Sequence, residues 1–291
     1  MRSTILTTVL LASVSAIAQY GSFDAPAVKA AKATTTIVVL DAGDSPYNRT
    51  IMNAVKAEWK FTGAYEFMTV AELAAQPIDP AKTYLLKTSR VDPVEFEATF
   101  LALVRGWKAK KGEPLQQVNN AFTSIAAEQE LASIMIDTKA INEQSMAPML
   151  MVYVKHLQDY LKNVEAGKIT DKTTADRTYS LRTRLIRDGQ LLLAREHVDK
   201  SLPDAAAIAA NYTSPCKLVG LAEITAAVEA QDRTVAIGDA LLTGEHKTKH
   251  CFKRIFNAGT GELMYLADDA ALFGKKEGFI DVDLKNIARA R

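Results

Sequence analysis

Hydrophobic positions along this chain fall into short apolar runs separated by stretches with a helical period. Thr36-Ile37-Val38-Val39-Leu40 is a β-branched run without alternation, the pattern of a strand buried on both faces. Ser45 and Pro46 then suit a helix cap and first turn, and Ile51, Met52, Val55 and Trp59 fall on one helical face before Gly63. A strand follows at Tyr65-Glu66-Phe67-Met68, a short helix from Val70 to Gln76, and a strand at Thr83-Tyr84-Leu85-Leu86. The order is β-α-β-α-β.

The same order recurs downstream. At a constant shift of 151, Phe67-Met68-Thr69-Val70-Ala71-Glu72-Leu73 falls on Leu218-Val219-Gly220-Leu221-Ala222-Glu223-Ile224, and Thr83 to Leu86 on Thr234 to Ile237. Upstream, Gln190 to Ala194 takes the place of the first strand and Asp204 to Asn211 that of the first helix. Each copy is expected to end in a hairpin. In the first, Phe100 to Arg105 returns through the polar Lys108 to Glu113 region; in the second, Cys251 to Phe256 and Glu262 to Leu266 flank the glycine-bearing turn at Asn257 to Gly261. Between the copies, Leu150, Val154, Leu157, Leu161 and Val164 mark one long helix opened by Pro148 and closed by Gly167.

These elements define an α/β fold of two similar β-α-β-α-β plus hairpin lobes, an internal duplication joined by a long central helix. The boundaries are a signal peptide over 1–18, a flexible tether over 19–33, a first lobe over 34–145, the central helix over 146–168 and a second lobe over 169–291. The leader reading rests on Arg2, the uncharged run from Ile5 to Ala16, and the small-residue site Ala16-Ile17-Ala18 before Gln19. It predicts an exported protein, periplasmic or extracellular. No later run is long enough for a transmembrane segment.

Charge narrows the partners. The chain has 35 Lys and Arg against 34 Asp and Glu, and loss of Arg2 with the leader leaves no net charge, so nothing favours nucleic acid. Export permits a disulfide between the two cysteines, Cys216 and Cys251, worth roughly 3–4 kcal/mol in the chain-entropy account; two buried free thiols are the alternative.

Candidate chemistry is thin. Gly43-Asp44-Ser45 after the first strand resembles the nucleophile block of secreted SGNH hydrolases, which implies a serine nucleophile activated by the His of a D-x-x-H motif. Tyr153, Ala194, Thr243 and Lys247 stand three residues before the four histidines His156, His197, His246 and His250, so that motif is missing and Ser45 reads as a helix cap. Asp41 and Asp44 suit a divalent cation at a strand end, or simply a turn. His246 and His250 beside Cys251 have metal-ligand spacing but lie in a lysine-bearing loop with no second ligand cluster. Glu72 and Glu223 recur at matching positions, where Thr69-x-x-Glu72 forms a capping box, and Asp283 is placed to cap a terminal helix. No catalytic residue, metal ligand or cofactor is therefore assigned.

Asn53-Ala54-Val55-Lys56 with Trp59, Tyr65 to Met68, Thr83 to Leu86, the Leu150 to Gly167 helix and the hairpin opening Cys251-Phe252-Lys253 resemble a class of exported α/β proteins of unknown function from Bacteroidota. That resemblance implies export and fold and contributes no site residues. The functional expectation is a non-enzymatic protein-interaction or assembly module with a protein partner in the envelope. A periplasmic small-ligand binder with its site between the lobes is the alternative, ahead of a hydrolase or metal-dependent enzyme.

Overall fold

The computed structural model describes residues 20–91, 97–108 and 115–291; the leader over 1–18 lies outside them. It is a mixed α/β structure with two sheets and, among the described residues, nine α-helices. The first sheet contains β1 (Thr35–Leu40), β2 (Ala64–Thr69), β3 (Lys82–Val91), β4 (Glu97–Arg105), the short β5 (Gln117–Val118) and β6 (Ala121–Phe122), and β7 (Glu130–Ile136). The second contains β8 (Gln190–Ala194), β9 (Cys216–Val219), β10 (Val235–Thr243), β11 (His250–Asn257) and β12 (Leu263–Ala270).

The main path of the first sheet is β2-β1-β3-β4-β7, and that of the second is β9-β8-β10-β11-β12. Directions match as well as order. In each sheet the first strand pairs in parallel with its two neighbours, and the next two pairings are antiparallel. The β11–β12 hairpin turns where expected, with Gly261 at φ 70, a backbone region open to glycine. The first lobe differs from expectation. Its antiparallel partners for β4 are β3 and β7, so the return from Phe100 to Arg105 is a long excursion carrying β5 and β6 rather than a tight turn. The turn residues 109–114 fall outside the described part.

The helices are α1 (Ala25–Ala31), α2 (Pro46–Glu58), α3 (Val70–Ala74), α4 (Thr138–Asn142), α5 (Met149–Glu165), α6 (Lys172–Thr183), α7 (Ala205–Ala209), α8 (Leu221–Glu229) and α9 (Asp281–Arg289). Helix α5 buries Leu150, Val154, Leu157, Leu161 and Val164 in one cluster that also holds Ile51 and Val55 of α2, Leu101 of β4, Leu192 of β8, Ile224 of α8 and Phe256 of β11. One face of each sheet therefore shares a core with α5. The opposite faces have their own cores, under Val70 and Leu73 of α3 in the first sheet and under Ile208, Leu284 and Ile287 of α7 and α9 in the second.

One expectation is corrected here and one open alternative is decided. The segment expected to be a tether over 19–33 folds from Tyr20 onward: Asp24 caps α1, Val28 is fully buried, and Tyr20 stacks on Tyr179 with ring centroids 6.3 Å apart. Ser22 N–H donates to the Glu130 carbonyl at 2.9 Å and the Tyr160 hydroxyl donates to the Gly21 carbonyl at 3.1 Å, so the segment covers the outer edge of β7. A seven-residue helix held by a few apolar contacts shows no hydrophobic period, and an Ala-rich, Lys-containing stretch without period reads as a tether. The cysteines are free. Cys216 is on β9 and Cys251 on β11, with β8 and β10 between them, a separation of about 14 Å at ordinary strand spacing, against the roughly 7 Å limit for a disulfide.

Candidate functional site

Parallel strands of α/β sheets present side chains at their carboxyl ends, so those ends are where polar residues need accounting. At the end of β1, Asp41 is buried and its carboxylate lies 2.5 Å from the Lys87 ammonium on β3. Lys87 also stands 4.4 Å above the Tyr47 ring, and burial pushes its pKa down while Asp41 pulls it back up. Asn48 fixes the loop by accepting from Asp41 N–H at 2.7 Å and donating to the Gly43 carbonyl at 2.7 Å. Ser45 caps α2, accepting from Asn48 N–H at 3.1 Å. Asp44 is exposed and pairs with Arg49. The two aspartates considered for a cation thus part company: one neutralises a buried lysine, and the other lies at the surface.

The second sheet has a larger buried polar cluster. Arg254 on β11 is fully buried; its Nε and Nη2 donate to Asp239 Oδ2 at 3.0 and 2.5 Å, and its Nη1 donates to the Met135 carbonyl of β7 at 2.7 Å. Tyr153 of α5 donates to the same Asp239 oxygen at 2.9 Å. This network joins both sheets to α5. Beside it, Asp137, Met146, Tyr153, His197 and Asp239 line a cavity of about 30 Å³, room for water and nothing larger. On the other face of the same strand, Lys253 is fully buried between Asp269 and Asp283, at 2.6 Å from each. Asp283 does not sit at the cap position of α9 as expected. It lies in the first turn, accepts from Ile280 N–H at 2.9 Å and from the Tyr265 hydroxyl at 2.8 Å, and serves chiefly as the counter-charge of Lys253.

The remaining nominated residues are structural or scattered. Thr69 and Glu72 form the expected capping box, with Glu72 N–H on Thr69 Oγ1 at 3.2 Å and Thr69 N–H on Glu72 at 2.7 Å. Glu223 lies in the first turn of α8, whose cap residue Gly220 has no side chain to reciprocate. His246 is exposed and Cys251 buried, and among the described residues no group of three or more His, Cys, Asp or Glu is placed to hold a metal ion.

Two surface features were not singled out in the sequence. One is the pair of outer edges. β2 is hydrogen-bonded only to β1 and β9 only to β8 among the described residues, so each sheet ends on a short strand with an open side. Glu66 occupies the middle of the first edge and Lys217 the corresponding position of the second. The other is a hollow of about 460 Å³ between the loops after β10 and β12, lined by His246, Lys247, Lys249, Leu272, Phe273 and Glu277 among others. Phe273 on its rim is 92% exposed and adopts a φ of 55.

No protein-family model matches this chain, and no curated protein or solved structure is detectably similar to it. Among the described residues no helix is long and apolar enough to cross a membrane.

Proposed function

We propose that this chain is an exported, non-enzymatic protein-interaction module of the envelope or extracellular space, and that it docks a protein partner by strand addition at the open edges β2 and β9. The observation that carries this reading is the pair of edges itself. An unpaired strand edge offers a row of main-chain donors and acceptors, and proteins that do not use such edges usually cover them. Here the opposite end of the first sheet is covered by residues 20–22, whereas among the described residues no strand pairs with the outer side of β2.

We also read the two lobes as copies of one duplicated unit joined by a central helix, α5. Identical strand order and direction support this, together with the shift of 151 that lays Glu66-Phe67-Met68 on Lys217-Leu218-Val219. Duplication doubles the docking edge without a second gene product, which suits an assembly role. The alternative of a small ligand between the lobes is less favoured by the cavity beside Asp239, which holds about 30 Å³, room for water. The leader residues and the resemblance to exported Bacteroidota proteins support the location. Edman sequencing of the mature protein should begin at Gln19, and a chain starting at Met1 would count against export.

The docking reading is tested by placing a photo-crosslinking phenylalanine analogue at 66, at 217, and at the control position 139 on α4, where Lys139 is 85% exposed. Irradiation in the producing cells should give a discrete protein adduct at 66 and 217 and none at 139. Equal labelling at all three positions, or none anywhere, rules out the edges as the docking surface.

A further inference from the structure

The hollow beside Phe273 is distinct from the strand edges, and its chemistry points to a different kind of ligand. Its wall includes Ala271, Leu272 and the Phe273 ring, which give an apolar lining. Its rim is basic. The two loops that build it, residues 244–250 and 271–278, together with Lys200, carry five lysines and two histidines against two glutamates. Lys200 belongs to this rim because its ammonium lies 3.7 Å from where a Cβ on Gly274 would stand.

Part of that charge is already matched, Lys249 by Glu277 at 2.5 Å and Lys276 by Asp269 at 2.7 Å. Lys200, Lys247 and Lys275 have no ion pair among the described residues, against Glu245 and the backbone-bonded Asp199 on the acidic side, so the rim keeps a small excess of positive charge. The volume of about 460 Å³ lies in the range of pockets that enclose a small organic molecule, and far below what a folded partner would need.

The backbone adds a second reason to treat the hollow as built. His246, Phe273 and Lys276 have φ of 50, 55 and 59, in the left-handed region that side-chain-bearing residues rarely occupy, and a phenylalanine there is an outlier. Such conformations persist only where neighbouring structure imposes them, and they concentrate at binding loops. The strain holds a large aromatic ring outside the core, where it gains nothing from burial in the protein itself.

We infer that this hollow binds a small amphipathic anion, a carboxylate or phosphate attached to an apolar body, with the apolar body against Leu272 and Phe273 and the anionic group against Lys247 and His246. The inference does not depend on the edge-docking reading. A lipid bilayer is a less suitable occupant because a concave pocket with one projecting aromatic offers a flat surface little contact.

The test uses the full mature protein and anilinonaphthalene sulfonate, an anionic aromatic probe whose fluorescence rises in apolar sites. One dye should bind per chain and be displaced by decanoate below its micelle concentration, with decanol and decyltrimethylammonium at least tenfold weaker. Lys247→Glu combined with His246→Gln should weaken dye and decanoate about tenfold, and Phe273→Ser should do likewise. All three positions are exposed, so unchanged circular dichroism and melting are expected and serve as the folding control. Variants that bind as the unmodified protein does, or displacement by decyltrimethylammonium as effective as by decanoate, overturn the proposal. So does cosedimentation with phosphatidylglycerol vesicles when decanoate fails to displace the dye, an outcome that assigns the face to a membrane surface.

Discussion

Arg254 and Asp239 stand opposite one another on β11 and β10, and the guanidinium spends its third hydrogen bond on the Met135 carbonyl of the other sheet. An ion pair used for stability alone would need no such reach. Here one fully buried cation ties β7, β10, β11 and, through Tyr153, α5 into a fixed arrangement, with burial and Asp239 together pushing the Tyr153 hydroxyl's pKa well up. Breaking a buried pair costs far more than replacing it, because the survivor is left charged without a partner. Arg254→Met should therefore destabilise the protein by about 3–5 kcal/mol. Arg254→Met with Asp239→Leu should recover most of that loss. Urea unfolding of the three proteins measures this, and a double variant no more stable than the single would show that the network is not governed by its charges.

Lys87 and Asp41 allow a sharper test of whether the strand-end loop is catalytic or structural. Lys87→Met strands the Asp41 carboxylate, and a loss of about 3–5 kcal/mol is expected, with Asp41→Asn in the same chain restoring a large part. Ser45→Ala removes only a helix cap and should cost about 1 kcal/mol. Thermal or urea denaturation of these variants orders the effects. A Ser45→Ala loss as large as that of Lys87→Met would contradict the cap assignment.

What could be read from the sequence follows distance along the chain. Ser45, Thr69 and Asp204 cap helices through bonds to residues three positions on, and such devices are visible in a string of letters. The strands β1, β2, β8 and β9 were legible for the same reason, since their signal is a local apolar run. Lys87 was not nominated because its partner lies 46 positions earlier, and a lysine in a strand reads as a solvent-facing position. Lys253 and Arg254 are harder still to place from sequence. Neighbouring strand residues point to opposite faces, so at least one of the two should meet solvent if either face were open; both faces are covered, by α5 on one side and α9 on the other, and each cation found acidic partners inside. The Phe273 hollow was illegible for the opposite reason, because nothing in a sequence marks a phenylalanine that stays outside.

The thiols should behave as two independent groups, Cys251 buried and Cys216 half-buried. Burial pushes both Cys216 and Cys251 up to about 12, so at neutral pH almost no thiolate is present to react. A thiol reagent should label the folded protein slowly and the denatured protein promptly at both sites, and a reducing agent should leave the melting temperature unchanged. Rapid labelling of only a minor fraction in denaturant, or a melting point that falls on reduction, would mean that the cysteines are bonded.

His156 makes acid stability predictable. It is buried in α5 between Tyr179 and Phe256, with ring centroids 6.1 and 5.6 Å away, and desolvation pushes its pKa down to about 4 from 6.5, against a smaller opposing pull from Asp159. The folded protein thus binds the His156 proton more weakly than the unfolded chain does. As pH falls the unfolded chain protonates first, so the contribution of this residue is complete above about pH 6.5 and disappears progressively toward pH 4. A shift of that size corresponds to about 3 kcal/mol, a large share of the stability of an ordinary domain. His156→Leu keeps an apolar side chain in the site and removes the titration. Urea unfolding free energies measured at intervals from pH 7.5 to pH 4 should therefore fall less steeply for the variant, with the two curves diverging between pH 6.5 and 4. Parallel curves would show that His156 reaches solvent in the folded protein, and that α5 is not closed over it.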